Sequence, residues 1–238
     1  MAWYRDWFGE DYLELYSHRD EAEAELHIDF VERAFSGARP RAVLDLACGA
    51  GRHTLALRAR GLRALGIDLS LTLLTKAPAY ARVCGDMRCL PLANQSFDWV
   101  LNFFTSFGYF ETERENFRVL EEIVRLLTPG GRFLIDLLNP HPAIEKLVPR
   151  ESVRTEGRRI DVERWFEAST QRMNKRIEIQ SPTQGPRVFH ESVRLYRPEE
   201  VQIGLRWAGL EVDQIYGSFQ GDPYRDDSPR LIFIGRKP

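Results

Sequence analysis

The run from Val43 to His53 constrains the fold of this chain more than any other stretch. Val43, Leu44, Leu46 and Ala47 surround a single acid, Asp45, as in a strand covered on both faces. Gly49 and Gly51 then let the backbone turn sharply and approach a ligand more closely than a Cβ would permit. A helix predicted over 52–60 aims its N-terminal amides at the same spot. Strand, glycine turn and helix in that order open an α/β sheet and predict a cradle for a nucleotide-like ligand at the tip of the first strand.

Dinucleotide sites carry a third glycine for close helix–strand packing, and here that place is Thr54. Asp45 would also face a pyrophosphate, an unfavourable pairing that a ligand with an ammonium group would reverse. Four more segments follow in order. Residues 66–70 form a second apolar strand ending at Asp68, the position at which an acid accepts ribose hydroxyls. Residues 81–88 read as a third strand carrying Asp86 and Met87. Residues 97–104 read as a fourth, with Asn102 before Phe103 and Phe104, and Pro129-Gly130-Gly131 turns into a fifth.

Spread over 43–136, these five segments resemble class I S-adenosylmethionine-dependent methyltransferases. The resemblance implies an α/β fold: a Rossmann-like, seven-stranded, mostly parallel sheet with helices on both faces, plus a small antiparallel β-platform inserted after strand five. It implies S-adenosylmethionine as cofactor and S-adenosylhomocysteine as product. Asp45 would face the methionine ammonium, the backbone at Ala47, Gly49 and Gly51 would wrap the cofactor, and Asp68 would take the ribose, with Leu69 beside it also contacting the cofactor. Asp86 and Met87 would hold the adenine, while Asn102 would line the methionine side. An aromatic lead-in containing Trp3, Tyr4, Trp7, Phe8 and Tyr12 resembles the family's lid, with Tyr16 and Arg19 as candidates for the methionine carboxylate. The bland reading of each acid is a strand-end or capping residue.

Transfer of a methyl group from a sulfonium needs positioning and exclusion of water more than a dedicated nucleophile. The chain shows no convincing Ser/His/Asp or Cys/His set, so catalytic residues are not assigned. Family members that methylate exocyclic amines of DNA bases, or glutamine, carry Asn or Asp followed by Pro-Pro and an aromatic where this chain has Asn102-Phe103-Phe104. A small-molecule acceptor is therefore expected, with Phe107, Tyr109, Tyr224 and Arg230 as substrate candidates, against packing and solvated loop as alternatives. His190 is a candidate base or a partly buried structural residue. His18, His27, His53 and His141 lack metal spacing, and no metal site is expected. Two rivals stay open: an NAD-dependent oxidoreductase, and a catalytically silent cofactor-binding relative. RNA methylation is a third possibility.

A chain of 238 residues suits one sizeable domain. Its expected division is a helical lid over 1–38, a cofactor-binding core over 40–138, an inserted antiparallel platform over 150–197 and a last helix with closing hairpin over 198–238. Three platform strands are predicted at 161–168, 172–180 and 188–196, with a turn at 182–186. A helix over 21–35 should bury Leu26, Phe30, Val31 and Ala34, stopped by Gly37 and Pro40, and another spans 114–127. Net charge is −2 and the arginines of 150–176 alternate with acids, which argues against nucleic acid. No apolar run approaches the roughly 20 residues that span a membrane, and no signal pattern opens the chain. Cys48, Cys84 and Cys89 read as reduced, buried thiols of a cytoplasmic protein. Lysine at only four positions beside abundant arginine suggests a GC-rich bacterial genome. The oligomeric state is left open by the sequence.

Overall fold

Strands that alternate with amphipathic helices pack as a parallel sheet with helices on each face. The computed structural model of the chain describes residues 2–16, 21–36, 39–76, 81–155, 157–181 and 185–238, and has that arrangement. Two short helices, α1 (Trp3–Trp7) and α2 (Glu10–Leu15), precede α3 (Glu21–Ala34). The core then runs β1 (Val43–Leu46), α4 (Arg52–Ala59), β2 (Ala64–Asp68), α5 (Leu71–Lys76), β3 (Arg82–Cys84), β4 (Phe97–Asn102), α6 (Glu113–Leu126) and β5 (Leu127–Leu138). After α7 (Pro140–Glu145) come β6 (Arg150–Thr155), β7 (Arg158–Glu167), β8 (Arg172–Gln180) and β9 (Arg187–Arg194). The chain closes with α8 (Pro198–Ala208), β10 (Glu211–Tyr216) and β11 (Arg230–Arg236).

Seven strands form one sheet in the order β10-β11-β5-β4-β1-β2-β3. Strands β1 to β5 pair in parallel, and β11 runs antiparallel to both β5 and β10. Alternate residues of each strand feed opposite cores. Leu44, Leu46, Val100, Phe133 and Ile135 pack with Val119, Leu120 and Ile123 of α6 and Leu205 of α8. Val43, Trp99, Leu101 and Leu134 pack with Ile28 and Val31 of α3 and Leu57 of α4. The sheet order reverses between β1 and β4, so a crevice opens where the crossovers from these strands diverge.

Several expectations are refined. The buried residues of α3 are Ala24, His27, Ile28, Phe30 and Val31, so Phe30 and Val31 are buried as expected, Ala34 is half-buried, and Leu26 lies beside the stripe and is 39% exposed. Helix α6 opens on a capping box, Thr112 with Glu115, and ends at Leu126, so Leu127 begins β5. Pro129-Gly130-Gly131 is an irregularity inside β5, with Gly130 at φ 74° and the β4 register shifting between Phe97 and Trp99. The platform has four strands, in the order β6-β7-β8-β9, where three were expected. Strand β6 escapes sequence patterning because it is an edge whose sole aliphatic residue, Val153, is itself 40% exposed. Cys48 is buried, but Cys84 and Cys89 are exposed, the former at the tip of the edge strand β3. Gly37 and the turn residues 182–184 lie outside the described residues. No helix among the described residues is long and apolar enough to cross a membrane.

Helices of five and six residues are too short to persist alone. The lead-in is held by tertiary packing: Trp7 is 1% exposed and lies on Ile160, Val162, Ile177 and Ile179 of the platform, with Phe8, Tyr12 and Tyr16 around it. At the other end of the sheet, β10 crosses Gly235 so closely that an added Cβ would sit 1.9 Å from the Glu211 carbonyl oxygen and 2.7 Å from the Phe133 ring. Gly235→Ala is therefore expected to cost about 3 kcal/mol or more, lowering the thermal midpoint by roughly 6–12 °C in a calorimetric scan.

Candidate active site

The crevice at the reversal is a pocket whose floor is built from successive strand ends. Asp45 and Ala47 to Ala50 come from β1 and its turn, Asp68 and Leu69 from β2, and Asp86 and Met87 from the segment after β3. Three carboxylates from three adjacent strands thus converge on one cavity. Ala47 (φ 60°) and Gly49 (φ 56°) are both left-handed, which folds the turn back over the strand tips. Tyr4, Phe8, Tyr12 and Tyr16 of the lead-in form the roof, and Phe103, Phe104, Ser106, Tyr109 and Phe110 close the β4 side.

Each acid has a distinct setting. Asp45 is 1% exposed and accepts from the Thr54 hydroxyl at 2.6 Å; burial pushes its pKa up to about 6. Asp68 accepts from the Gly49 amide through Oδ2 and from the Ser70 amide through Oδ1, both at 2.8 Å, so it ties the glycine turn to β2. Burial raises its pKa too, against those amide contacts. Asp86 is held by the Arg88 fork, with Nε at 3.0 Å and Nη2 at 2.7 Å. Burial would raise its pKa, but the Arg88 contacts outweigh it and hold the carboxyl below the usual range.

Among the described lining residues the one permanently charged cation is Arg52, and it is ion-paired with Glu23. The pocket is thus acidic and aromatic, an acceptor set suited to a ligand bearing positive charge, hydroxyls and an exocyclic amine.

Other residues read from the sequence lie elsewhere. Gly51 does not line the cavity; it caps α4 at φ 81° and donates its amide to the Cys48 carbonyl. Asn102 is 1% exposed and donates to the Leu46 carbonyl at 2.9 Å, bracing β1 from behind. Phe107 is 2% exposed in the core. The Tyr224 hydroxyl donates to Asn139, and Arg230 is engaged by Asp136 and Thr105. His190 is exposed on β9. Arg19 and His18 lie outside the described residues. No cluster that could hold a metal ion occurs among the described residues.

The sequence pattern does not single out Arg52 and His53, although both line the pocket. Their place in the first turn after a glycine cradle is the signal that would find them. Nor does it single out Arg172, whose contribution is long-range. From β8 its guanidinium donates to the carbonyls of Gly108, Tyr109 and Phe110 and to Ser192, so the platform clasps the loop that forms the β4 wall.

The comparisons with known proteins agree with this geometry. Residues 43–131 match the family described as a methyltransferase domain. A cypemycin N-terminal methyltransferase from Streptomyces sp is 29% identical over 203 residues, covering 82% of each chain. A dTDP-3-amino-3,4,6-trideoxy-alpha-D-glucopyranose N,N-dimethyltransferase from Streptomyces venezuelae is 28% identical, covering 81% of each. An S-adenosylmethionine-dependent methyltransferase of Clostridium acetobutylicum superposes with a TM-score of 0.80 at 18% identity, over 94% of this chain and 95% of that one, a likeness of fold. Residues 43–131 carry a methyltransferase domain, and the enzyme is an S-adenosylmethionine-dependent methyltransferase with S-adenosylmethionine as its cofactor.

Beneath the β4 wall lies a buried histidine pair. His27 Nδ1 and His53 Nε2 are 3.0 Å apart, both rings are buried, and they stack between Phe219 and Phe103. Burial lowers the His27 pKa to about 4 and holds His53 well below the ordinary value. An unfolded histidine binds its proton near pH 6.5, so between that pH and about 4 the unfolded state holds more protons than the folded one. Their stabilising share is complete above pH 6.5 and is lost as pH falls towards 4. The raised Asp45 acts in the opposite sense over the same window, so the test is comparative: between pH 7 and 5 the thermal midpoint of His27→Phe is expected to fall less, or rise more, than that of the wild type, and an unchanged slope would count against a neutral pair.

Proposed function

We propose that this methyltransferase acts on an amine nitrogen of a small molecule, within the pocket beneath the N-terminal helices. The observation that carries the reading is the convergence of Asp45, Asp68 and Asp86 on one aromatic cavity whose lining cation is already ion-paired. In this reading Asp45 neutralises the methionine ammonium, Asp68 and Leu69 hold the ribose, and Asp86 and Met87 hold the adenine. The turn of Ala47 and Gly49 wraps the cofactor with Gly51 holding it from behind, Asn102 acts through the Leu46 carbonyl, and Tyr16 and Arg19 serve the carboxylate end. When bound, the cofactor supplies an activated methyl on a sulfonium. The chain's own residues align the acceptor opposite it and keep water out.

An amine acceptor is supported by the named activities of the two Streptomyces relatives, both N-methyltransferases. It is also supported by the rings of Phe8, Tyr12, Phe104 and Tyr109, which attract cationic and N-alkyl groups. The division into lid (1–38), core (40–138), platform (150–197) and closing hairpin (198–238) belongs to the same proposal. Three free thiols and relatives of bacterial origin support a bacterial, cytoplasmic setting. The near-neutral charge favours a small acceptor over nucleic acid.

Calorimetric titration with S-adenosylhomocysteine tests the pocket. Asp68→Ala should weaken binding by about tenfold or more, since charged hydrogen bonds contribute about 1.5–3 kcal/mol. Absence of binding to the wild type, or equal affinity in the variant, would end the proposal. Turnover is tested with a panel of dTDP-linked aminosugars and peptides with free N-termini, reading S-adenosylhomocysteine formation. Methylation confined to hydroxyl-only analogues would remove the amine assignment.

A further inference from the structure

Two consecutive non-glycine residues at the end of β4, Phe104 and Thr105, are left-handed, with φ 61° and 57°. A Cβ disfavours that conformation at each of them, so the surrounding structure must impose it. What imposes it is Asp136. This residue is 0% exposed near the C-terminal end of β5, between β4 on one side and β11 on the other. Its Oδ2 accepts from the Phe104 amide at 2.8 Å, and its main-chain oxygen accepts from the Thr105 amide at 2.9 Å. Its Oδ1 accepts from Arg230 Nε and lies 2.7 Å from Nη2, and Nη2 also donates to the Thr105 hydroxyl at 3.0 Å.

The source of Arg230 follows from topology. Parallel strands place their last residues at the ligand edge of the sheet, whereas β11 runs the other way and places its first residue there. The reversed strand therefore delivers a cation to an edge that otherwise collects acids. Phe104 lines the pocket, with the Arg52 guanidinium 4.4 Å from its ring centroid and that of Arg230 at 5.9 Å.

We propose that Asp136 and Arg230 are positioning residues for methyl transfer, clamping the 103–105 turn in its left-handed form so that Phe104 walls the acceptor side of the pocket. Arg230 on this account acts through the turn and does not touch the acceptor. The proposal rests on the reading of the pocket given above, and the measurements separate the two.

Amide hydrogen exchange by mass spectrometry is followed in peptides covering 103–107 and 43–47, alongside titration with S-adenosylhomocysteine. Arg230→Gln is expected to speed exchange over 103–107 at least tenfold, leaving 43–47 unchanged and affinity for the product within threefold. Arg230→Lys and Asp136→Asn should give smaller changes of the same pattern, and they carry the test if Arg230→Gln does not fold. Adding Thr105→Gly, which tolerates the left-handed backbone, should restore protection in the Arg230 variants, a rescue that a general loss of packing would not show. Unchanged exchange over 103–107 in the folded variants, or equal acceleration over 43–47, overturns the clamp. Failure of the wild type to bind S-adenosylhomocysteine overturns the pocket reading instead.

Discussion

A carboxylate sealed inside a parallel sheet is the constraint around which the site is arranged. Asp45 lies between Gly66 of β2 and Leu101 of β4, nearly without solvent. Leaving such a group unsatisfied costs several kcal/mol, and here one hydroxyl, that of Thr54, meets it at hydrogen-bonding distance. This explains why the place that is glycine in dinucleotide sites is threonine here: the helix must bring a donor to the acid. Burial, which the Thr54 contacts only partly offset, raises its pKa.

The platform and the lead-in helices complete the cavity from outside the sheet. Trp7 anchors α1 on the apolar face of the platform, and Arg172 clasps the loop of Gly108 to Phe110 from the same insertion. Tyr109 in turn stacks on Phe8, which joins the loop to the roof. Arg172 is satisfied by carbonyl dipoles and the Ser192 hydroxyl, and its burial disfavours the charge, so its setting depends on the loop staying in place. Roof, loop and platform are therefore one mechanical assembly, although they are far apart in the chain.

What the sequence made legible was whatever is local. The apolar run of β1, its glycine turn and the acids at strand ends are fixed by residues within a few positions of each other, and these segments fold as read. Strand β6 was illegible because an exposed edge has no inner face to pattern. Leu26 misled because apolar character alone does not place a residue on the stripe, whereas the spacing of Ala24, His27 and Val31 does. Cys84 looked buried because it follows apolar neighbours, yet its strand is the outer one. The environment of Arg230 depends on pairing with a strand laid down ninety residues earlier, and no local pattern encodes that.

The reversed strand also sets an order of events during synthesis. A nascent chain that has emerged only as far as β5 carries Asp136 without its counter-charge, because Arg230 begins a strand still to be made. The β4 turn cannot settle until that strand inserts beside β5. The counter-charge that completes this wall of the pocket therefore arrives with the last strand of the sheet to be made.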